Sequence, residues 1–280
     1  MKVSRIVLFF LFLSIAISSN AQYDEFKVTV SGSGPPILLI PGFTCTGEVW
    51  NETVAQLNKN YECHIFTLAG FGDVPAIELP WLPKIKDALL NYVKEKELDK
   101  ATIIGHSLGG SLALWMASEE GILFKKLIVV DALPSIGALM IPNFEAASIV
   151  YDNPYSNNVL NMDGESFKTM ATQMASYMSL NKELHSRLTD WIIKSDREIY
   201  VHGYTDLLKL DLREAIKKIE IPVTILAATY PNKEMILLQY EKQYKNLPQK
   251  NILYAENSAH FIMYDQPEWF MKHISSELIK

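Results

Sequence analysis

At 280 residues, 49% of them hydrophobic and 21% charged, the chain has enough apolar material to bury a large core in one domain, which excludes a disordered protein. A formal net charge of −6, with no local run of lysine or arginine, excludes the electrostatic footprint of a nucleic-acid binder. The two cysteines, Cys45 and Cys63, lack the spacing of a zinc knuckle or a redox pair, so neither a metal nor a cofactor is implied.

The chain opens with Lys2 and Arg5, an apolar run over 6–17, and the small residues Ser19, Asn20 and Ala21. This pattern predicts a signal peptide over 1–21 cleaved after Ala21, because about a dozen apolar residues fall short of the ~20 that a membrane-crossing helix needs. An uncleaved anchor is the rival. The expected mature protein is exported, to a periplasm or out of the cell, with no membrane attachment and no cysteine at its new N-terminus to carry a lipid. Such a compartment would permit Cys45 and Cys63 to pair, and the sequence leaves open whether they do.

From Phe26 to about Asp131, strand-like and helix-like runs alternate, as in βαβ units on a mostly parallel sheet. Short apolar runs over 36–40, 63–68, 101–104 and 126–130 predict buried strands, and runs over 223–226 and 251–254 resume the series. Ile85, Leu89, Leu90 and Val93 recur on one face of a helix between them. The alternation stops over 132–219, which predicts a helical cap insertion into a core made of 22–131 and 220–280. Candidate helices lie at 165–178, 182–195 and 197–208. This stretch holds Met140, Met162, Met170, Met174 and Met178 together with Phe144, Tyr151, Tyr155, Phe167 and Tyr177. Such side chains suit a pliable lid over a cleft, although methionines at helical spacing more often form ordinary core.

Three features carry chemistry. After the run 36–40 comes Pro41-Gly42-Phe43-Thr44, a turn where main-chain N–H groups are available. After the run 101–104 comes Gly105-His106-Ser107-Leu108-Gly109-Gly110 and then the helix-forming Ser111 to Ala117. A serine between glycines at a strand-to-helix turn is a G-x-S-x-G elbow, in which close packing at the glycines lifts the hydroxyl clear of the sheet. The N–H groups of Phe43 and Leu108 are therefore assigned to an oxyanion hole, where two donors stabilise the charge that develops in acyl transfer. The third feature is His260, in Ser258-Ala259-His260-Phe261, between the last predicted strand and a terminal helix from about Pro267. Of the six histidines it alone falls in a loop at the expected carboxyl edge of the sheet, where a general base must reach the serine.

Together the Pro-Gly-Phe turn, the Gly-His-Ser-Leu-Gly-Gly elbow and the late Ala-His-Phe resemble the small capped members of the α/β-hydrolase superfamily, over the mature chain from about Phe26 to the end. The resemblance implies a mostly parallel central sheet flanked by helices, with a helical cap. It also implies a triad in the order serine, acid, histidine. The family's commonest acid position follows the strand 223–226, but there the chain reads Ala227-Ala228-Thr229-Tyr230-Pro231-Asn232-Lys233-Glu234, without aspartate. Two candidates remain, Asp131 at the end of the preceding strand and Glu234, with Asp131 favoured.

The expected activity is hydrolysis of a carboxylic ester of a small, partly apolar acyl substrate by Ser107 and His260 through an acyl-enzyme. A lactone, thioester or amide stays open. Because fold does not dictate function, a catalytically silent binding protein on the same fold is the rival from another class, and a cofactor-free lyase is a third.

Overall fold

The computed structural model describes residues 23–279, so the signal peptide expected over 1–21 lies outside the described residues. Seven strands form one sheet: β1 (Phe26–Ser31), β2 (Pro36–Ile40), β3 (Glu62–Leu68), β4 (Ala101–His106), β5 (Phe124–Val130), β6 (Val223–Ala228) and β7 (Lys250–Ala255). Their order is β1-β3-β2-β4-β5-β6-β7, with β1 antiparallel to β3 and every other pair parallel. The six expected strands are present. The antiparallel edge strand β1, which no uninterrupted apolar run announces, is an addition.

Buried parallel strands are covered on both faces, and the period-two alternation of side chains divides the core in two. Leu38, Ile40, Phe66, Ile103, Val129 and Ile225 face one way, against α2 (Trp81–Glu95) and α3 (Leu108–Glu120). Ile37, Leu39, Ile104, Ile128 and Leu226 face the other, with Trp50 and with Val54 of α1 (Asn51–Leu57). Cys45 and Cys63 lie in this second layer as buried free thiols. Burial pushes the Cys63 thiol up to about 11.

Between β5 and β6 the chain forms the cap: α4 (Ile136–Met140), α5 (Pro154–Leu160), α6 (Gly164–Met178), α7 (Lys182–Lys194) and α8 (Tyr204–Lys209). The two long cap helices lie where their periodicity predicted, capped by Asp163 and Asn181. The helix expected over 197–208 is present, with a π-helical turn, Ile199–Gly203, leading into α8. Leu212, Ile216 and Ile219, inside the expected cap range 132–219, are buried in the first core layer with Leu112 of α3, so the chain rejoins the core before position 219. After β6 come α9 (Lys233–Gln243), and after β7 α10 (Ile262–Asp265) and α11 (Pro267–Ile279), whose Phe270 and Ile274 complete the second layer. Among the described residues no helix is long and apolar enough to cross a membrane.

Candidate active site

A one-residue turn joins β4 to α3 through Ser107, at φ 52° and ψ −118°. A serine at positive φ costs about 1–3 kcal/mol and persists only where its surroundings dictate it. Those surroundings are explicit. The Ser107 N–H donates to the carbonyl of Val130 at 2.8 Å, and its own carbonyl accepts from Gly110 and Ser111 at 2.9 and 3.0 Å. A β-carbon on Gly109 would stand 2.2 Å from the Ile40 carbonyl oxygen, and one on Gly42 would stand 3.3 Å from the Ser107 β-carbon. Only glycine lets the turn after β2 and the elbow approach so closely. Leu108 opens α3, so its N–H precedes the first intrahelical bond, and it lines the same cavity as Phe43 and Ser107.

His260 enters from the loop between β7 and α10. Its Nδ1 lies 2.6 Å from Asp131 Oδ2. Asp131 is the first residue past β5 and is itself turned to φ 45°, with its N–H donating to the Leu226 carbonyl at 2.7 Å. Its other oxygen, Oδ1, accepts from the Ala228 N–H at 2.9 Å and from the Tyr240 hydroxyl at 2.8 Å. Burial, reinforced by the Asp131 carboxylate, pushes the Tyr240 phenol well up, so it remains a donor. Side-chain exposure is 28% for His260 and 15% for Asp131, which leaves the imidazole reachable and its partner largely sheltered.

Glu234, the other candidate acid, is not brought to His260. Asn232 caps α9 and places Glu234 exposed in that helix's first turn, while the stretch after β6 is spent on Asp131 through Ala228.

His106 is wholly buried beside this pair, its ring centroid 4.7 Å from that of His260. Burial, then the neighbouring His260, drives its pKa down to about 3, so the ring is neutral. Its Nε2 is 2.9 Å from the His260 carbonyl, and its buried Nδ1 has no partner among the described residues, which makes Nε2 the protonated, donating nitrogen. His106 therefore steadies the backbone at His260.

The sheet and the cap enclose a cavity of about 960 Å³. Ser107, His260, Phe43 and Leu108 line it from the sheet side, and Met140, Met174, Met178, Tyr155 and Tyr177 from the cap. Met162 and Met170 pack against the cap's own small core, Met174 both packs there and faces the cavity, and Met140 and Met178 face the cavity. Tyr240, Ala228 and the role of His106 escaped the sequence reading. Tyr240 stands 109 residues from Asp131 and no local pattern marks it. Among the described residues no group of three or more His, Cys, Asp and Glu side chains could hold a metal ion.

Comparison with known proteins adds to this geometry. Over 122 residues the chain is 32% identical to the pimeloyl-(acyl-carrier protein) methyl ester esterase of Vibrio campbellii, but the match spans only 44% of this chain and 44% of that one. A longer match, 21% identical over 260 residues and covering 92% of this chain and 94% of the other, is to 3-oxoadipate enol-lactonase 1 of Acinetobacter baylyi. Among solved structures, the enol-lactonase of Burkholderia xenovorans superposes with a TM-score of 0.76 at 15% identity, over 91% of this chain and 96% of that one, a likeness of fold alone. The model of the alpha/beta hydrolase family matches residues 37–273, from β2 into α11, and since that span takes in the whole cluster around Ser107, the chain belongs to this family.

Proposed function

We propose that the chain is a serine hydrolase that cleaves a carboxylic ester of a small acyl substrate through an acyl-enzyme on Ser107. The observation that carries the proposal is the 2.6 Å contact of His260 Nδ1 with Asp131, on an imidazole that shares one cavity with Ser107. A partner on Nδ1 fixes the tautomer in which Nε2 is free to act as a base.

In this mechanism Nε2 takes the Ser107 proton as Oγ attacks the substrate carbonyl carbon. The oxygen of the tetrahedral intermediate is held by the N–H groups of Phe43 and Leu108, and loss of one such donor typically costs about 2.7–4 kcal/mol of transition-state stabilisation. The imidazolium, stabilised by Asp131, returns the proton to the leaving alcohol. Water then repeats the cycle on the acyl-enzyme. A lactone is the second substrate class, favoured by one observation: a relative matched over nearly the full length of the chain is an enol-lactonase.

Turnover of p-nitrophenyl acyl esters by the purified protein tests the proposal. The wild type hydrolyses them, and Ser107→Ala and His260→Ala each lose at least about a thousandfold in kcat. Unchanged turnover in Ser107→Ala would rule the mechanism out. Export, with maturation after Ala21, is proposed from the pattern at 1–21 and is checked by sequencing the N-terminus of protein recovered outside the cytoplasm.

A further inference from the structure

We propose that the acyl part of the ester accepted here is an uncharged, apolar chain of medium length, bearing neither carboxylate nor phosphate. This deepens the serine-hydrolase reading and rests on it. At about 960 Å³ the cavity lies at the upper end of small-molecule pockets, which run ~300–1,000 Å³, so an acetyl group would leave most of it unfilled.

The lining sets the chemistry. Among the described residues it holds no lysine, arginine or glutamate, and its one acid, Asp131, is already bonded to His260, Tyr240 and the Ala228 N–H. Away from Ser107 the walls are mostly aliphatic, thioether and phenol; the neutral polar side chains Ser148, Asn153 and Thr205 also line it and are bonded to Glu145, Ser156 and Val201. The Tyr204 hydroxyl lies 3.3 Å from the Met140 sulfur, and the Tyr200 hydroxyl 3.6 Å from that of Met174. Burial pushes the Tyr204 phenol up to about 12, so it stays neutral. A thioether is a weak acceptor, which leaves the Tyr204 hydroxyl able to greet a neutral oxygen, while the Tyr200 hydroxyl is also hydrogen-bonded to Tyr155; neither gives an anion a countercharge.

No cation of the cap lines the cavity, and two of them, Arg197 and Lys209, are engaged elsewhere. The Arg197 guanidinium lies 3.6 Å from the centre of the Phe167 ring and donates to the carbonyls of Val159 and Met162, and the Lys209 ammonium lies 5.2 Å from the centre of the Tyr151 ring. An anionic acyl chain would enter a mostly apolar space without a countercharge, inside a protein that already carries a net charge of −6.

Three chromogenic esters of matched length decide the matter: p-nitrophenyl octanoate, the mono-p-nitrophenyl ester of octanedioic acid, and that compound with its free carboxylate capped as a methyl ester. The expected result is that kcat/KM for the free carboxylate falls at least about a hundredfold below octanoate, while the methyl-capped ester recovers to within about fivefold. Met140 lines the cavity and is 55% exposed, so Met140→Lys can place an ammonium at its rim. In that variant the ratio of charged to neutral kcat/KM rises at least about tenfold, a readout that partial loss of folded protein does not move. A wild-type ratio within about tenfold of unity would overturn the proposal while leaving the hydrolase intact. Failure to turn over any of the three would instead strike down the hydrolase reading, and this proposal with it.

Discussion

Sheet and cap are held together by different means. Within the sheet half, position follows from continuous burial: Leu38, Leu39, Ile103, Ile104, Leu127 and Ile128 are all fully enclosed on strands that run beneath Ser107 and Asp131. The cap has a small core of its own, built on Val159, Phe167, Ala171, Ile192, Tyr200 and Val201, and joins the sheet's two core layers through a few side chains, Ala175, Leu184, Leu188 and Trp191 in one and Ile199 and Leu207 in the other. Two carboxylates tie it down. Asp206 of α8 accepts from the Trp81 and Leu82 N–H groups at 2.7 and 3.1 Å, capping α2 from across the fold, and from the Tyr151 hydroxyl at 2.5 Å. Asp265 of α10 accepts from Ala259 N–H at 2.8 Å and from Leu180 and Asn181 N–H at 3.0 and 3.1 Å, so that the loop bearing His260 and the α6–α7 connection share one anchor. The continuously buried half therefore positions Ser107 and Asp131, and the half joined by fewer apolar contacts and these polar ties walls the cavity above them. Changes in the first should abolish chemistry or folding, and changes in the second should alter selectivity.

The widest separation is expected at the acid. Asp131→Asn removes the carboxylate that fixes the His260 tautomer, and kcat should fall by about a thousandfold to ten-thousandfold, whereas Glu234→Gln should stay within about twofold. Steady-state kinetics on one ester checks both, and the reverse ranking would move the acid to α9. Next comes the sheet core, where Leu39→Ala should lower unfolding free energy by about 2–5 kcal/mol in denaturant melts. Equal destabilisation by Met174→Ala on the cavity wall would erase the contrast between the halves.

A pH effect follows from two buried rings. His106 and His64 both have pKa values lowered chiefly by burial, the former to about 3, so between there and the ordinary histidine value near 6.5 the unfolded chain binds protons that the folded chain refuses. Stability is thus intact above that window and is lost as pH falls through it, His106 alone contributing a loss of about 2 kcal/mol by pH 5. Melts across pH 7 to 4 should show the slope, and His106→Gln should flatten it; an unchanged slope in that variant would exclude His106 as its source. At the cap's tether, Asp206→Ala exposes the uncapped α2 N-terminus and should cost about 1–3 kcal/mol. It should also raise KM more than it lowers kcat. The smallest effect belongs to Met174→Leu, a nearly volume-conserving change expected to cost less than about 1.5 kcal/mol while shifting acyl-chain preference in an ester panel.

What the sequence made legible follows the same division. Buried parallel strands read as apolar runs, and the elbow is local, so the positions of Ser107 and the central strands could be read directly. The acid could not. Choosing Asp131 requires the turn at its own φ of 45° and the path of the chain after β6, where Ala228 donates to Asp131 and Asn232 starts a helix that carries Glu234 to solvent. The helix cap at Asn232 is local, but the contacts of Asp131 with Leu226 and Ala228 span about a hundred residues, which no periodicity encodes. In the cap, short helices defeated the pattern. α5 has a recognisable start in Asn153-Pro154, a capping side chain followed by proline in the first turn, while five-residue α4 has too few turns to show a face. The π-helical turn before α8 has no sequence signal that separates it from an ordinary helix.

Intact-protein mass spectrometry after brief exposure to a fluorophosphonate asks whether the Ser107 oxygen is the activated nucleophile. The expected result is one adduct per chain, mapped by peptide sequencing to Ser107, absent from Ser107→Ala and slowed by orders of magnitude in His260→Ala. An adduct that persists in Ser107→Ala, or a folded wild type that takes up none, would be incompatible with a hydrolytic serine at the β4–α3 turn.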